Sequence, residues 1–519
     1  MCRHHHGSCL GCHHAVNRRG FVKGCGAAAA TALAGLTGAS SLAGEPKGKK
    51  VRVALVFMSR RKNSWPFPGF DARGREEEIL NLLKEGCPQI EFIPISIQSS
   101  NDARKAVGMK DDVDGYLAYF VTLSWSLMGL LRQIGKLGKP MIVADEYMGG
   151  SGAFLCGYGS LLGQNTPAGA VSATRPEDLV AVARCFADVN RPDTTPASFA
   201  RRCWEVYRET FPEVGEMKCL EDKLSLTDIA ECVRRFKKSR FLIVGAGRAG
   251  REQDFLGAKG TYIGFDELQA FYNKVDRDRA AEQAKRWAGG AEKVVEAKPE
   301  WIAKAGAVYL ATRELLKKHG TDTVTMNCLG GFARGKLPAY PCLGFMEILD
   351  SGGQGVCEAM PDDTLSMLMA RILTGRPGYV SDPVLDTSKN QIVYAHCVAT
   401  TKAFGPQGES NKFRIRTLHN RDPRGTCAQS FLPSGYMTTS FRTNFQRKQM
   451  IIHQAKAVGN LDSQRGCRTQ LIGEVRGDIG KLFDQWHRFG WHRVTVFGDV
   501  KQPLIEFGKA LGLEIIEEA

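Results

Sequence analysis

The chain has 519 residues, of which 43% are hydrophobic and 24% charged, and its formal net charge is +15. These proportions are typical of a globular protein and exclude an intrinsically disordered chain. At roughly 150 residues per domain, the length predicts about three domains or two large ones. The 16 cysteines and 11 histidines invite a metal or haem interpretation, which depends on where they lie in the chain.

The first 43 residues have the pattern of an export signal. Asn17-Arg18-Arg19-Gly20-Phe21-Val22-Lys23 resembles the twin-arginine motif, and an uncharged, mildly apolar run over residues 24–44 follows it. Within that run, Ser41-Leu42-Ala43 has the small residues of a cleavage site. We therefore expect export by the twin-arginine route to the periplasm or the extracellular space, with a retained membrane anchor as the alternative.

Part of the histidine and cysteine content lies in this leader. Cys9-Leu10-Gly11-Cys12-His13 has the spacing of a haem-attachment motif, but it precedes the paired arginines and would be removed with the signal. Without residues 1–43 the chain keeps 12 cysteines, six histidines and a net charge of +11. Its cations are spread along the chain between acids, with no basic stripe interleaved with aromatic residues, so we expect no nucleic-acid partner.

One later segment is uncharged, as a membrane-spanning helix would be. Residues 115–131 carry no charge, but they number only 17 and are closed by Asp114 and Arg132. That length is at the lower limit for a spanning helix. A buried strand at 115–121 followed by a helix from about residue 123 explains the run better. We therefore expect no stable membrane insertion after signal cleavage.

Strands and helices alternate after the leader. The predicted strands of the first part are Val51–Phe57, Ile90–Ile97, Gly115–Val121 and Met141–Ala144, with a helix at Glu76–Glu85. This alternation predicts a doubly wound parallel sheet, with a ligand at its carboxyl edge. A helical stretch at 196–238 and strands at Phe241–Val244 and Thr323–Met326 predict a second such unit.

The pattern of predicted elements changes after Cys342, where short strands separated by Gly and Pro become frequent. The predicted fold class is therefore α/β, with two Rossmann-like parallel-sheet domains followed by a β-rich α+β C-terminal domain. The predicted boundaries are a signal peptide at 1–43, α/β domains at 44–195 and 196–344, and the C-terminal domain at 345–519.

A glycine-rich loop follows the strand Phe241–Val244. Gly245, Gly247 and Gly250 have the G-x-G-x-x-G spacing, and a predicted strand at 261–265 ends at Asp266. In a dinucleotide site these glycines would approach a pyrophosphate and the acid would bind a ribose hydroxyl. Residues 251–257 are short and polar where an amphipathic helix is needed, which favours a simple turn. NAD(P) is thus a cofactor only in an alternative interpretation, a nicotinamide-dependent sugar oxidoreductase.

Seven short motifs cluster after residue 340. They are Pro341-Cys342, Gly355-Val356-Cys357-Glu358-Ala359-Met360, Leu373-Thr374-Gly375-Arg376-Pro377, Ser381-Asp382-Pro383, Ala395-His396-Cys397, His492-Arg493 and Val496-Phe497-Gly498-Asp499. As a set they resemble the L-fucose/L-arabinose isomerase family, in particular its divergent exported members. The matching order covers roughly residues 50–519.

The resemblance implies two Rossmann-like domains, a C-terminal domain that completes a metal site, and a possible homo-oligomer. It implies a small sugar as substrate and the interconversion of aldoses and ketoses. A divalent metal, usually manganese, binds sugar oxygens in that family while carboxylates move a proton through an enediol. The chemistry is coherent because a Lewis acid stabilises the charge that develops when the weakly acidic C–H bond is broken.

The residue-by-residue transfer is incomplete. The family's Cys-Glu-Ala-Asp block ends in a metal ligand, but this chain has Met360 there, and a thioether does not hold a hard cation. The resemblance implies a metal held by Glu358, His492 and, in place of the missing acid, Asp362, with the neighbouring Asp363 as the alternative. It implies Glu347 and Glu358 as the catalytic carboxylates. A non-catalytic carbohydrate-binding protein that kept the fold and lost the site is the remaining alternative.

Two polar loops complete the predicted site. Residues 414–422 and 460–468 are dense in hydrogen-bonding side chains, which suit sugar hydroxyls. The candidate substrate-binding residues in them are His419, Asp422, Arg465 and Arg468. The alternative for each loop is a solvated charged turn.

Overall fold

The computed structural model describes residues 50–59, 65–419, 422 and 424–519. The predicted export signal and its haem-like motif lie outside these residues. Within the described part of the chain, no helix combines the length and apolar character that a bilayer crossing needs.

A five-stranded parallel sheet, sheet A, forms the first layer, in the order β2-β1-β3-β4-β5. Its strands are β1 (Val51–Met58), β2 (Ile90–Ser96), β3 (Gly115–Phe120), β4 (Met141–Asp145) and β5 (Gly169–Val171). The helices of this region are α1 (Ala72–Gly86), α2 (Ser100–Gly108), α3 (Met128–Gly135), α4 (Ser151–Leu162), α5 (Pro176–Ala183) and α6 (Pro196–Glu209). Every residue of β3 is buried, so the uncharged run begins as a core strand of a parallel sheet.

Sheet B is the second layer, in the order β11-β10-β6-β8-β7, and only β7 runs antiparallel to its neighbour. Its strands are β6 (Arg240–Val244), β7 (Glu252–Phe255), β8 (Ala258–Ile263), β10 (Thr323–Met326) and β11 (Gln354–Cys357). The helices are α7 (Ile229–Lys238), α8 (Phe265–Lys274), α9 (Arg277–Gly290), α10 (Pro299–Lys318), α11 (Cys328–Ala333), α12 (Cys342–Asp350) and α13 (Pro361–Thr374).

The continuous helical stretch predicted at 196–238 is wrong. Helix α6 ends at Glu209, and Pro212 follows closely, where its ring and missing N–H disfavour a further turn. The chain then runs without regular structure until α7, and its backbone N–H groups at Leu220 and Thr227 donate to distant carbonyl oxygens.

The last part of the chain is a closed barrel joined to a small sheet. Six strands pair in the ring β16-β19-β12-β13-β18-β17, and β16 also pairs with β17 to close it. These strands are β12 (Tyr379–Asp386), β13 (Gln391–His396), β16 (Met437–Asn444), β17 (Gln449–Asn460), β18 (Thr469–Arg476) and β19 (Arg493–Phe497). The remaining elements are β9 (Lys293–Val294), β14 (Phe413–Thr417), β15 (Thr426–Ser430), β20 (Glu514–Glu517), α14 (Ile479–Gln485) and α15 (Lys501–Ala510).

The predicted fold class is confirmed: an α/β body with a five-stranded parallel sheet precedes a β-rich C-terminal region. Strand β9 pairs with β14 in a three-stranded sheet, which ties the second α/β layer to the C-terminal region. The barrel additionally carries β20, which runs parallel to β17.

A buried ionic network anchors the barrel strand that follows His492. Arg493 donates from Nη2 to Glu518 at 2.7 Å, and its guanidinium stacks 4.0 Å from the centre of the Trp486 ring. His453 Nδ1 lies 2.7 Å from the same carboxylate. Burial opposes ionisation, but Arg493 outweighs it and lowers the pKa of Glu518 to about 2. The charge is therefore retained inside the protein.

Replacing Glu518 by Gln should destabilise the protein by about 3–5 kcal/mol, because it leaves the guanidinium of Arg493 buried without its anion. Since the folded-state pKa is depressed, the stability that Glu518 contributes is present above its unfolded pKa of about 4.3 and is lost as the pH falls toward about 2. Denaturant unfolding of Glu518→Gln at pH 7 and pH 3 measures both effects.

The matched control is Glu517→Gln. Glu517 is half exposed and pairs with Lys501 at the surface, so its loss should change the free energy of unfolding by less than about 0.5 kcal/mol. Equal destabilisation by the two substitutions would contradict a buried, paired Glu518.

Candidate active site

A cavity of about 320 Å³ lies where strand ends of sheets A and B meet the barrel. Sheet A contributes residues that follow β3 and β4, such as Trp125 and Met148, and sheet B contributes Cys357 and Glu358 at the end of β11. The volume is at the lower end of the range of about 300–1,000 Å³ that is usual for small-molecule sites. The position at the carboxyl ends of parallel strands is the one expected for a ligand in this kind of fold.

Glu358 enters the cavity from an unusual backbone turn. Glu358 has φ +68° and Ala359 has φ +54°, so two consecutive residues other than glycine adopt the left-handed region. Such residues cost about 1–3 kcal/mol each and persist where the surroundings enforce them. The next residue, Met360, donates its N–H to Thr325 Oγ1 at 3.1 Å. Burial raises the pKa of the Glu358 carboxyl, and nearby His492 opposes the rise.

His492 is oriented by a buried carboxylate. Its Nδ1 lies 2.6 Å from Asp363 Oδ2, and the other oxygen of Asp363 accepts from Arg442 Nε at 2.6 Å. Burial would raise the pKa of Asp363, but Arg442 and His492 outweigh it and hold that pKa well below its usual range. An ionised Asp363 therefore accepts the Nδ1 proton, and this fixes the direction in which Nε2 points.

The opposite nitrogen of His492 faces two further carboxylates. Nε2 lies 3.3 Å from Asp382 Oδ1 and 3.9 Å from Glu358 Oε2. This nitrogen is buried, and no described residue offers it a well-aligned hydrogen bond. Burial lowers the pKa of His492, but the carboxylates, Asp363 above all, outweigh burial and raise it to about 10. The carboxylates around His492 thus favour a positive charge at its imidazole, which a proton or a metal cation can supply.

The residues present fit a hard divalent cation. Two carboxylates and one imidazole are the ligand types that Mn²⁺ and similar ions accept. At metal–ligand distances of about 2.0–2.2 Å, neighbouring ligand atoms are roughly 3.0–3.5 Å apart. The separations from His492 Nε2 to Asp382 and Glu358 are close to that range. A carboxylate behind the ligating histidine is the usual partner of a metal-bound imidazole.

His396 lies close to His492 but makes different hydrogen bonds. Its Nδ1 accepts a hydrogen bond from the backbone N–H of Val398 at 3.2 Å, so the neutral ring carries its proton on Nε2. The ring lies edge to face with His492, with centroids 5.6 Å apart, and lines the cavity. A protonated Nε2 can donate to a ligand oxygen, and in the other tautomer His396 can join Glu358 and His492 around a cation, since ligand atoms of the three lie within 4.8 Å of one another.

Two of the four residues expected to converge here lie elsewhere. Asp362 Oδ1 accepts from the backbone N–H of Phe445 at 2.8 Å, in the first turn of α13, and does not line the cavity. Glu347 accepts from Arg286 at 2.7 Å and from the indole of Trp287 at 2.8 Å, and it lines a separate cavity. The structure therefore places the alternative Asp363 beside His492 in place of Asp362, and it places Glu347 outside the group.

Of the four predicted substrate-binding residues, only His419 lines the cavity, where its ring is edge to face with Trp65 at 4.9 Å. The other three are held by neighbours of the protein itself. Asp422 accepts from Arg424, Arg465 donates to Glu146, and Arg468 donates to the backbone carbonyls of Thr417 and Leu418.

The glycine loop is a tight turn. After Gly250 the chain forms β7 in place of the helix that follows such a loop in a dinucleotide site, and the strand predicted at 261–265 ends at Ile263. A Cβ at Gly245 would collide with the ring of Phe265, and one at Gly247 with the ring of Tyr262. Asp266 lies in the first turn of α8 with its side chain 88% exposed. The geometry contradicts a dinucleotide site formed by Gly245, Gly247, Gly250 and Asp266.

One central carboxylate, Asp382, has no role assigned from the sequence, and a second, Asp363, is the sequence-based alternative to Asp362. Asp382 belongs to the Ser381-Asp382-Pro383 motif, which was singled out without a role. The register of β12 with β19 places Ser381 opposite Arg493, so the next residue of β12 comes beside His492. Asp363 is next to the predicted Asp362, and the helical start at Pro361 decides which of the two faces the histidine.

Comparison with known proteins gives a distant sugar-isomerase relationship. The chain is 23% identical over 280 residues to the sulfoquinovose isomerases of Priestia aryabhattai and Priestia megaterium, covering 51% of this chain and 60% of each relative. The matched region is thus less than two thirds of those proteins. This similarity supports a sugar-isomerase-like chain in general terms, whereas membership of the L-fucose/L-arabinose isomerase family stays a prediction.

Two further comparisons add no functional argument. No protein-family model matches the chain. A carbohydrate transporter from Acidothermus cellulolyticus 11B, solved in complex with myo-inositol, shares 11% identity over 62% of this chain and 97% of its own, with a TM-score of 0.17.

Asp363→Asn should weaken Mn²⁺ binding about 10–100-fold, the range seen when the partner of a metal-ligating histidine is removed. The amide is uncharged, so it makes the His492 imidazole a poorer ligand. Calorimetric titration of the full chain with Mn²⁺ measures the effect. Asp362→Asn is the matched control and should leave the affinity unchanged, and a larger loss in Asp362→Asn than in Asp363→Asn would contradict the geometry.

Proposed function

We propose that this protein is a metal-dependent sugar isomerase that interconverts an aldose and a ketose. The observation that carries the proposal is that Glu358 and Asp382, which line the cavity, both face the buried Nε2 of His492. The distant similarity to sulfoquinovose isomerases supports the same reaction class. Mn²⁺ as the cation, export by the twin-arginine route and oligomer formation belong to this proposal as expectations from the sequence.

The cation would be held by Asp382, His492 and one oxygen of Glu358. When bound, it supplies Lewis-acid stabilisation of the negative charge that develops on the sugar oxygens. Asp363 and Arg442 hold the imidazole in position, because the protonated Nδ1 and the ionised Asp363 leave His492 a single orientation. This arrangement explains why a buried site contains so many carboxylates.

Glu358 is the group best placed to move a proton. A carboxylate has two oxygens, so one can face the cation while the other takes the proton from the carbon beside the sugar carbonyl and returns it to the neighbouring carbon. Burial raises the pKa of the Glu358 carboxyl, and nearby His492 opposes the rise. His396 donates its Nε2 proton to a sugar oxygen and fixes the substrate's orientation.

Three tryptophan side chains line the cavity. The rings of Trp125 and Trp491 pack with centroids 4.4 Å apart, and both line the cavity together with Trp65. Flat apolar surfaces of this kind suit the C–H faces of a sugar ring and exclude water from the reacting carbons.

Glu358→Gln should lower turnover by about 10²–10⁴-fold, the contribution expected from a positioned general base. The assay follows aldose–ketose conversion by proton NMR in deuterated water with Mn²⁺, over a panel of aldohexoses, aldopentoses and sulfoquinovose. Deuterium uptake at the carbon beside the carbonyl reports the proton transfer directly.

Glu347→Gln is the discriminating variant and should retain turnover, because Glu347 lies in a separate cavity. Loss of activity in Glu347→Gln with none in Glu358→Gln would reverse the assignment. Sugar-induced thermal stabilisation with no turnover on any sugar would favour a carbohydrate-binding protein without catalysis.

A further inference from the structure

A second group of ligand atoms lines the same cavity and has no part in the proposed isomerisation. His419 Nδ1 lies 3.8 Å from Cys397 Sγ and 3.8 Å from Cys467 Sγ. All three ligand atoms lie within 4.8 Å of one another, and both cysteines are free thiols. Cys397 follows β13, His419 follows β14 and Cys467 precedes β18, so three strand ends bring the group together.

The separations match those around a tetrahedral zinc ion. With Zn–S of about 2.3 Å and Zn–N of about 2.0–2.1 Å, tetrahedral angles place sulfur and nitrogen ligands roughly 3.6 Å apart. The observed sulfur–nitrogen separations of 3.8 Å need only a small inward movement. Two sulfurs and one imidazole form a softer donor set than the carboxylates around His492, and thiolates select Zn²⁺ or Cu⁺ over Mn²⁺.

We propose that Cys397, Cys467 and His419 form a second metal site, specific for a thiophilic cation and best suited to Zn²⁺. Its fourth position faces the cavity, because all three residues line it. Binding replaces the two thiol protons, which pass to solvent, and leaves two thiolates and one neutral imidazole on the cation. The site goes beyond the proposed isomerase and does not depend on that activity.

Asp382 lies between the two sites. Its Oδ2 is 3.9 Å from Cys467 Sγ, and its Oδ1 is 3.3 Å from His492 Nε2. One carboxylate thus presents an oxygen to each group, an arrangement that two-metal centres use to hold neighbouring cations. A cation at the thiol site would change the charge around His492 through Asp382, which contacts both sites.

The test is titration of the reduced full chain with Co²⁺, which replaces Zn²⁺ in tetrahedral sites and gives an intense sulfur-to-metal absorption when thiolates ligate it. We expect this absorption to saturate as Co²⁺ is added and to disappear on addition of Zn²⁺. Cys397→Ser and Cys467→Ser should each abolish most of it. Cys328→Ser, which changes a cysteine of the same cavity outside the group, should retain it.

Absence of the thiolate band in the reduced wild type, or its loss in Cys328→Ser with retention in Cys467→Ser, would overturn the proposal. Because buried cysteine variants can unfold, His419→Asn provides a second measurement. His419 is only half-buried, and its loss should keep the fold but weaken Co²⁺ binding by at least about tenfold. Unchanged affinity in a folded His419→Asn would also overturn it.

Failure of this site and failure of the proposed isomerase can be told apart. Glu358→Gln removes a group of the carboxylate site but none of the thiol ligands, so it should keep the Co²⁺–thiolate band while losing turnover. A wild type that isomerises sugars without any thiolate band would refute the thiol site alone. A thiolate band in a protein with no turnover on any sugar would support the thiol site and refute the isomerase.

Discussion

The hydrogen bond between His492 and Asp363 is the interaction on which the candidate site depends. It holds Nδ1 against Asp363 and leaves Nε2 facing Asp382 and Glu358. Arg442 keeps Asp363 ionised, so the bond stays charge-assisted in a buried place where an unpaired charge would be costly. Without this bond the imidazole of His492 would lose the contact that directs its Nε2 toward the two carboxylates.

The fold supplies these groups from distant parts of the chain. Glu358 follows the last strand of sheet B, Asp382 lies in the first barrel strand, and His492 immediately precedes the barrel strand β19. Closure of the barrel brings β12 and β19 side by side, and the buried pair of Arg493 and Glu518 anchors β19 one residue after the histidine. Strand β19 therefore contributes both to the stability of the barrel and to the position of His492.

The sequence predicts the parallel sheets and helices of the fold better than it predicts the residues of the candidate active site. Alternating apolar strands and amphipathic helices identify the parallel sheets, because burial imposes those periods locally. Glu358 and His492 could be found from short motifs, whereas Asp382 depends on strand register, and the choice of Asp363 over Asp362 depends on where α13 begins. At the glycine loop, in contrast, the sequence suggests a site: its spacing fits a nucleotide site, but aromatic rings fill the space beside it.

The central claim is that Glu358, Asp382 and His492 hold one hard cation. Anomalous scattering at the manganese edge, from crystals of the full chain grown with Mn²⁺, tests it most directly. The account predicts a peak about 2.0–2.2 Å from the two carboxylates and from the imidazole Nε2. Absence of a peak there at saturating Mn²⁺, or a peak at Asp362 or Glu347 instead, would contradict it.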